Sequence, residues 1–418
     1  MPTSTRTLLN GLVGTVLLAT VVAGCSGLPT GQAGGTSSSA PTAPTGSSRP
    51  SATEDATQPP APRPVALKAN VADDASKVAV DTRVKVQASD GTVQKVKLSY
   101  RGVDAKGAAT QGTVKGEVSE DGRTWTAADR LEPSATYTLA MTGANAADEK
   151  TTRKSTFSTQ ELTLAEQTFP TLYPLPDSKV GVGMPVVLTF DVPVTDKAAF
   201  EENLHVTSKP AQEGSWSWLS STQVRFRPKA YWKPGTKVTV RADVNGVDAG
   251  DGIYGQTSTS TSFTVGRSLV TKVDLKRDVA TVYRDGQKVR TILVSGGKPG
   301  WETRSGTKLI MAKEFNKKMT NEMIGAEEDY TLVAKYALRI TNSGEFLHSA
   351  PWNAGNLGRR NASHGCVGMS TADSQWLYEN TLIGDPVVTT GSGRGLEQGN
   401  GYADWDISYA KFQKGSAL

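Results

Sequence analysis

Thr281-Val282-Tyr283-Arg284-Asp285-Gly286-Gln287-Lys288-Val289-Arg290-Thr291-Ile292-Leu293-Val294 reads as two strands folded back on an Asp-Gly turn. Asp and Gly tolerate the positive φ angles of a two-residue hairpin turn, and β-branched runs on either side favour the pleated conformation. From residue 266 onward the texture stays β-like. Gly296-Gly297-Lys298-Pro299-Gly300 is a loop, and Lys308-Leu309-Ile310-Met311 is another strand. Residues 312–329 are charged and Met-rich, with Lys317, Lys318, Glu327 and Glu328, and a segment of that length inside a β domain predicts a lid. Asp373 to Leu382 predicts a short helix capped by Ser370 or Thr371. Residues 391–418 carry Trp405, Tyr409 and Phe412, and aromatics at that density predict a tail that packs back onto this domain.

Upstream, two further stretches have strand texture. In residues 65–160, Val84-Lys85-Val86-Gln87-Ala88 and Val93-Gln94-Lys95-Val96-Lys97-Leu98 alternate apolar and polar side chains, and Asp90-Gly91 between them predicts a hairpin. Leu131-Glu132-Pro133 then precedes Tyr137-Thr138-Leu139. Residues 161–265 repeat the plan, with Val186 to Phe190, Val224 to Pro228, Trp232-Lys233-Pro234-Gly235, and Val238-Thr239-Val240. A tryptophan, an apolar-x-Pro turn and an alternating strand occur in both, which predicts two immunoglobulin-like β-sandwich modules, with Tyr137 at a sandwich corner. The fold class is therefore mainly β. His205, on Leu204-His205-Val206, is expected on a solvent-facing strand with no nucleophile near it in sequence.

Residues 26–64 are almost all Ser, Thr, Pro, Gly, Ala and Gln and have no apolar period, so they predict a disordered tether. Before it, residues 1–24 have the parts of a secretory signal: Arg6, an apolar run from Leu8 to Val22, and the small residues Val22-Ala23-Gly24 ahead of Cys25. This segment resembles the lipobox of bacterial lipoproteins. The resemblance implies cleavage before Cys25 and its acylation, hence an extracytoplasmic protein held to the membrane by lipid and facing the cell wall.

The chain has 418 residues and two cysteines, so a lipidated Cys25 leaves Cys366 as a lone thiol. An exported protein normally lacks free thiols or uses them. The 46 basic and 41 acidic residues give a formal charge of +5 without a long basic run, and no nucleic-acid partner is expected. One cysteine and two histidines in the last domain, without a Cys-x-x-Cys pair, make a poor zinc site, so no metal or cofactor is expected.

Cysteine chemistry needs a thiolate, a base to make it and donors for the oxyanion that follows attack. Cys366 follows Gly365, which lets the backbone turn and aim N–H groups at a substrate. His364, two residues away, would share a face with Cys366 on a strand, whereas His348 could lie on a neighbouring strand. Residue types alone leave both open as the base.

The motifs His348-Ser349-Ala350-Pro351-Trp352 and Ser363-His364-Gly365-Cys366-Val367 closely resemble those of the L,D-transpeptidases that cross-link peptidoglycan. The match covers residues 266–390 as the catalytic domain. With the signal, the two modules and the aromatic tail it is similar to the actinobacterial, mycobacterial-type members. The resemblance implies Cys366 as nucleophile, His348 as general base and acid, and the Ser349 carbonyl as the group that orients His348. It implies Tyr330 near the oxyanion, Ser363 and His364 as shapers of the loop, and Met319 as a lid residue. Relatives usually carry Asn or Arg where this chain has Gly368.

The activity so implied is 3→3 cross-linking through a Cys thioester, with D-Ala released from a tetrapeptide donor stem and a second stem as acceptor. Carbapenem β-lactams are implied as covalent inhibitors. Two alternatives keep other outcomes open. The acyl group can pass to water or a protein, or the chain can be a non-catalytic wall-binding lipoprotein, which only Gly368 favours. A sortase-like or papain-like protease would share the Cys/His pair, but a sortase places an arginine on a following strand, and none follows Cys366 before Arg394.

Overall fold

The computed structural model describes residues 62–418 apart from 324, 326, 328 and 330. Cys25, the signal and most of the tether therefore lie outside the described residues, as does Tyr330. Three separate apolar cores fill the described chain.

The first core lies between a four-stranded and a five-stranded sheet, built from residues 66–127 and 75–159 respectively. Strand Lys85–Ser89 alternates exposed and buried residues as its sequence predicts. It does not form a hairpin with Thr92–Val103, however. Lys85–Ser89 pairs with Ala66–Ala69 and Thr124–Ala127, whereas Thr92–Val103 pairs with Ala109–Val114 and Ala135–Ala144 in the other sheet. The Asp90-Gly91 turn, with Asp90 at φ 59°, carries the chain across the sandwich instead of back along it. Each strand buries one face, and the ten-residue ladder between Thr92–Val103 and Ala135–Ala144 outweighs the local turn. Tyr137 is fully buried and its hydroxyl accepts a hydrogen bond from the Glu132 N–H at 2.7 Å, which fixes the corner after Pro133.

The second core lies between the sheet of Pro170–Tyr173, Val186–Phe190, Gln223–Pro228 and Gly214–Trp218 and the sheet of Lys179–Val180, Thr259–Val265, Lys237–Ala242 and Leu204–Lys209. Trp232 is buried here, and its indole N–H donates to the Met184 carbonyl at 2.8 Å. His205 stands exposed on its strand, 3.7 Å from Asp243.

The last domain is a nine-stranded sheet. Its strands are β1 (Leu269–Asp274), β2 (Val279–Arg284), β3 (Gln287–Ser295), β4 (Gly306–Leu309), β5 (Ala312–Thr320), β6 (Thr331–Arg339), β7 (Phe346–Ser349), β8 (Val367–Met369) and β9 (Pro386–Thr390). Their order across the sheet is β4-β9-β1-β2-β3-β8-β7-β6-β5. The β2–β3 hairpin turns on Asp285 and Gly286, at φ 50° and 85°. Residues 312–320 and 331–339 form an antiparallel ladder, so the expected lid is the tip of a strand hairpin and not a loop throughout. Helix α1 (Thr371–Asn380) is capped by Ser370, whose hydroxyl accepts from the Asp373 N–H. Its Leu377 joins the core of the sheet.

The tail meets its expectation in part: residues 394–400 bond to the last domain through Arg394, Glu397, Gly399 and Asn400, but the aromatic part goes elsewhere. Its aromatics do not pack on the last domain. They lie against the second sandwich, because two buried arginines there draw them in. The Arg227 guanidinium lies over Trp405, Tyr409 and Phe412 at 4.4, 5.4 and 4.7 Å. Arg225 pairs with buried Asp404 at 3.0 Å and donates to the Gly401 carbonyl. The Asp406 carboxylate accepts from the Thr307 N–H of β4, so the tail touches both bodies.

The sandwich also meets the last domain backbone to backbone. The Gly181 N–H donates to the Ile383 carbonyl at 2.7 Å and the Gly183 N–H to the Gly384 carbonyl at 3.0 Å. A β-carbon on Gly181 would lie 2.3 Å from the Asp385 amide nitrogen. Gly181→Ala must therefore push the two bodies apart, and we expect a loss of about 1–3 kcal/mol, typical of overpacking. Thermal unfolding checks this, and an unchanged melting temperature would show that the seam yields freely.

Candidate active site

Strands β7 and β8 run parallel side by side, with His348 opposite Gly368 and Leu347 opposite Val367. Cys366 immediately precedes β8, so this pairing brings the thiol and the imidazole to one end of the sheet. Both line a cavity of about 310 Å³, half-open, whose other walls include Trp352 and the hairpin residues Met319 and Leu332. Among the described residues no group of three or more His, Cys, Asp or Glu is gathered as a metal would need.

His348 is buried, and its Nδ1 lies 2.8 Å from the Ser349 carbonyl oxygen. A carbonyl only accepts, so Nδ1 carries the proton and Nε2 is left with its lone pair. The Ser349 hydroxyl is in turn held by Thr371 at the start of α1, at 2.7 Å. Trp352 stacks on the imidazole at 5.9 Å between ring centres.

The loop before Cys366 is tied internally. The Ser363 hydroxyl donates to the Cys366 carbonyl at 2.6 Å and accepts from the Gly365 N–H at 3.1 Å. The expectation that the Gly365 N–H points at a substrate is thereby corrected, since that donor is committed to Ser363. What Gly365 supplies is its backbone angle, φ 115°, which side-chain-bearing residues rarely adopt. His364 and Cys366 do not sit on a strand together, because the chain bends at residues 364 and 365. The His364 ring packs edge-on against Trp301 at 5.2 Å while also touching the cavity.

The Cys366 thiol is half-buried and lies 3.7 Å from the Gly344 carbonyl as donor. Loss of water pushes its pKa up to about 12; the Phe346 backbone opposes this, Glu345 adds to it, and Arg339 and Lys308 oppose it. Burial pushes the His348 imidazole below its ordinary value, with the Ser349 carbonyl opposing. At neutral pH both groups are therefore uncharged, a thiol beside a neutral base. We expect the wild-type protein to show no Cys366 thiolate absorbance around neutral pH when compared with Cys366→Ala. A thiolate band at pH 7 would instead reveal a preformed ion pair. The stability consequence has a definite sign: the folded thiol holds its proton above the pH at which the unfolded one loses it, so this group's contribution is present below about pH 9 and lost toward about pH 12.

Behind the loop lies a buried ionic cluster. The Glu345 carboxylate accepts from the Arg304 guanidinium and the Lys308 ammonium, each at 3.0 Å, and from the Arg304 N–H at 3.0 Å. It packs close to Gly365, where a β-carbon would lie 3.9 Å from a carboxylate oxygen. Sequence reading missed this cluster, and it missed Gly344, Phe346 and Asn353, whose positions carry no spacing signal.

Comparison with known proteins follows the same division. Residues 269–389 match the family model of the L,D-transpeptidase catalytic domain, and residues 75–248 match a bacterial Ig domain. L,D-transpeptidase 2 of Mycobacterium tuberculosis is 33% identical over 356 residues, which cover 84% of this chain and 85% of the relative. L,D-transpeptidase 5 of the same organism is 31% identical over 369 residues, covering 86% and 78%. A solved structure of an L,D-transpeptidase in complex with imipenem is 33% identical, covers 53% of this chain and 97% of its own, and superposes with a TM-score of 0.46. Identity at this level across most of both chains places the protein in a family: it belongs to the L,D-transpeptidases.

Proposed function

We propose that this protein cross-links peptidoglycan stems 3→3 by two acyl transfers through Cys366, with His348 as the proton carrier. The family's activity is peptidoglycan cross-linking. The observation that carries the residue assignment is the β7–β8 pairing, which opens one thiol and one imidazole Nε2 onto a single cavity.

In the first step His348 Nε2 takes the thiol proton as sulfur attacks the carbonyl carbon of the third residue of a tetrapeptide stem. The tetrahedral intermediate collapses, the C–N bond to the terminal D-Ala breaks, and the imidazolium returns its proton to the leaving amine. A thioester and neutral His348 remain. In the second step the side-chain amine of another stem attacks the thioester, His348 removes its proton, and the thiol is released protonated. The Ser349 carbonyl stabilises the imidazolium in both halves, since Nδ1–H keeps its acceptor throughout. A strained β-lactam carbonyl mimics the donor, so a carbapenem is expected to acylate the same sulfur.

The test is incubation of residues 62–418 with disaccharide-tetrapeptide, followed by mass analysis of protein and products. Expected are a thioester on Cys366 lacking D-Ala, a 3→3 dimer, and a single adduct with imipenem. Acylation without dimer would favour water or a protein as acceptor. No adduct on Cys366 under any of these conditions would overturn the proposal.

A further inference from the structure

Beyond the thiol and the imidazole, the cavity has one side chain whose orientation is fixed by a chain of hydrogen bonds that ends at its wall. The Arg360 guanidinium donates to the Asn356 side-chain oxygen at 2.6 Å. Arginine has no acceptor, so this bond settles which end of the Asn356 amide is oxygen. The Asn356 NH₂ then donates to the Asn353 Oδ1 at 2.5 Å. The Asn353 amide is thereby oriented as well, and its NH₂ is turned away from Asn356.

That NH₂ faces the space above Gly368. A β-carbon at Gly368 would lie 4.0 Å from the Asn353 Nδ2 and 2.8 Å from the Ala350 β-carbon. Position 368 is two residues beyond Cys366, and it stands opposite His348 in the strand pairing. Because it is glycine, β8 sends no side chain into the cavity there, and the 3-10 turn Pro351–Asn356 fills the place from the side. Asn353 is the kink in that turn, at φ −111° and ψ 17°, which swings its side chain out of the helical path. Asn353, Gly368, Cys366 and His348 all line the one cavity.

The chemistry of the rest of the wall explains what such a donor is for. None of the side chains lining the cavity is Lys or Arg, and the one acid there, Asp329, repels carboxylates. The Ser363 hydroxyl and the His348 Nδ1–H are both committed to backbone carbonyls. A stem peptide is rich in carbonyl and carboxylate oxygens, which need N–H donors when water is removed.

We propose that Asn353 is a stem-binding residue of this site, its NH₂ donating to a carbonyl or carboxylate oxygen of the stem held next to Cys366. The inference rests on the transpeptidase reading and deepens it by naming a specificity determinant. It acts on binding and leaves the reactivity of the sulfur alone.

The experiment compares wild type, Asn353→Ala and Asn353→Asp for D-Ala release from disaccharide-tetrapeptide, with iodoacetamide alkylation of Cys366 as a control. Asp keeps the acceptor for Asn356 at nearly the same shape but replaces the donor with a negative oxygen, so the fold is retained. Asn353→Ala is expected to raise KM about tenfold with kcat little changed, as loss of one hydrogen bond does. Asn353→Asp is expected to raise it more, and alkylation should stay within about twofold of wild type in both. Wild-type KM in both variants, with D-Ala still released, would overturn the assignment of Asn353. A fall in alkylation matching the fall in turnover would also overturn it, since the residue would then be acting on the thiol. No D-Ala release by the wild type would instead overturn the transpeptidase reading, and this inference with it.

Discussion

Cys366→Ala should leave no acyl-enzyme with any donor, and His348→Ala should slow acylation roughly 10²- to 10⁴-fold, the range expected for a lost general base. The high thiol pKa makes the second loss large. With the thiol pKa pushed well above neutral by loss of water, little thiolate is present at pH 7, so sulfur is deprotonated as it attacks. The double variant should be no worse than Cys366→Ala, because the two groups act as a unit. Burst kinetics with imipenem, followed by intact mass, give all three values. His364→Ala should differ in kind: its ring packs on Trp301, and its loss should disturb the loop more than the proton transfer. If His348→Ala retained near-normal acylation while His364→Ala lost it with the fold intact, the base would have to be reassigned.

Glu345→Ala should destabilise the last domain by about 3–5 kcal/mol, as removal of one member of a buried ionic group does. Lys308 is fully buried and Glu345 is its only carboxylate partner among the described residues, while Arg304 keeps Glu397. The loss therefore strands an ammonium group in the core. Glu345→Leu combined with Lys308→Met removes both charges and should recover part of the loss, because apolar groups of similar size can replace a buried pair at little cost. Denaturant unfolding of the two variants and the wild type tests this. A double variant no more stable than the single one would mean that geometry, not charge, holds the cluster. Glu345 also helps to push the Cys366 thiol pKa up, so where the single variant is folded its thiol should give up its proton more readily.

The parts of the fold legible in the sequence were those decided locally. The 281–294 hairpin is specified by its own turn and its own β-branched flanks, and it formed as read. Asp90-Gly91 offers the same dipeptide, but the destination of the following strand is decided by its ladder with Ala135–Ala144 some forty residues on. No local pattern reports that. The β5 strand escaped notice because Lys313, Glu314, Lys317 and Lys318 interrupt any apolar alternation, as suits a strand with no fully buried residue. In the tail the aromatics were visible but their partners were not, since Arg225 lies 176 residues upstream of the carbonyl it binds. At the site, residue types left His348 and His364 equal, and the β7–β8 register separates them in space. The Arg304, Lys308 and Glu345 cluster went unseen for the same reason: its members meet only after the sheet has formed.

The tail holds a further consequence, for the order in which the molecule becomes whole. The segment from Gly401 to Phe412 lies C-terminal to both bodies that it joins, and each of those bodies has an apolar core of its own. They can fold before it arrives, meeting along the glycine seam at residues 181 and 183 and where Ile383 packs on the sandwich core. Until the clasp closes, Arg225 and Arg227 stand without the groups that neutralise and cover them, and the pair is jointed. A chain cut at residue 400 should keep both folds yet be nicked by protease between them, while the uncut chain resists.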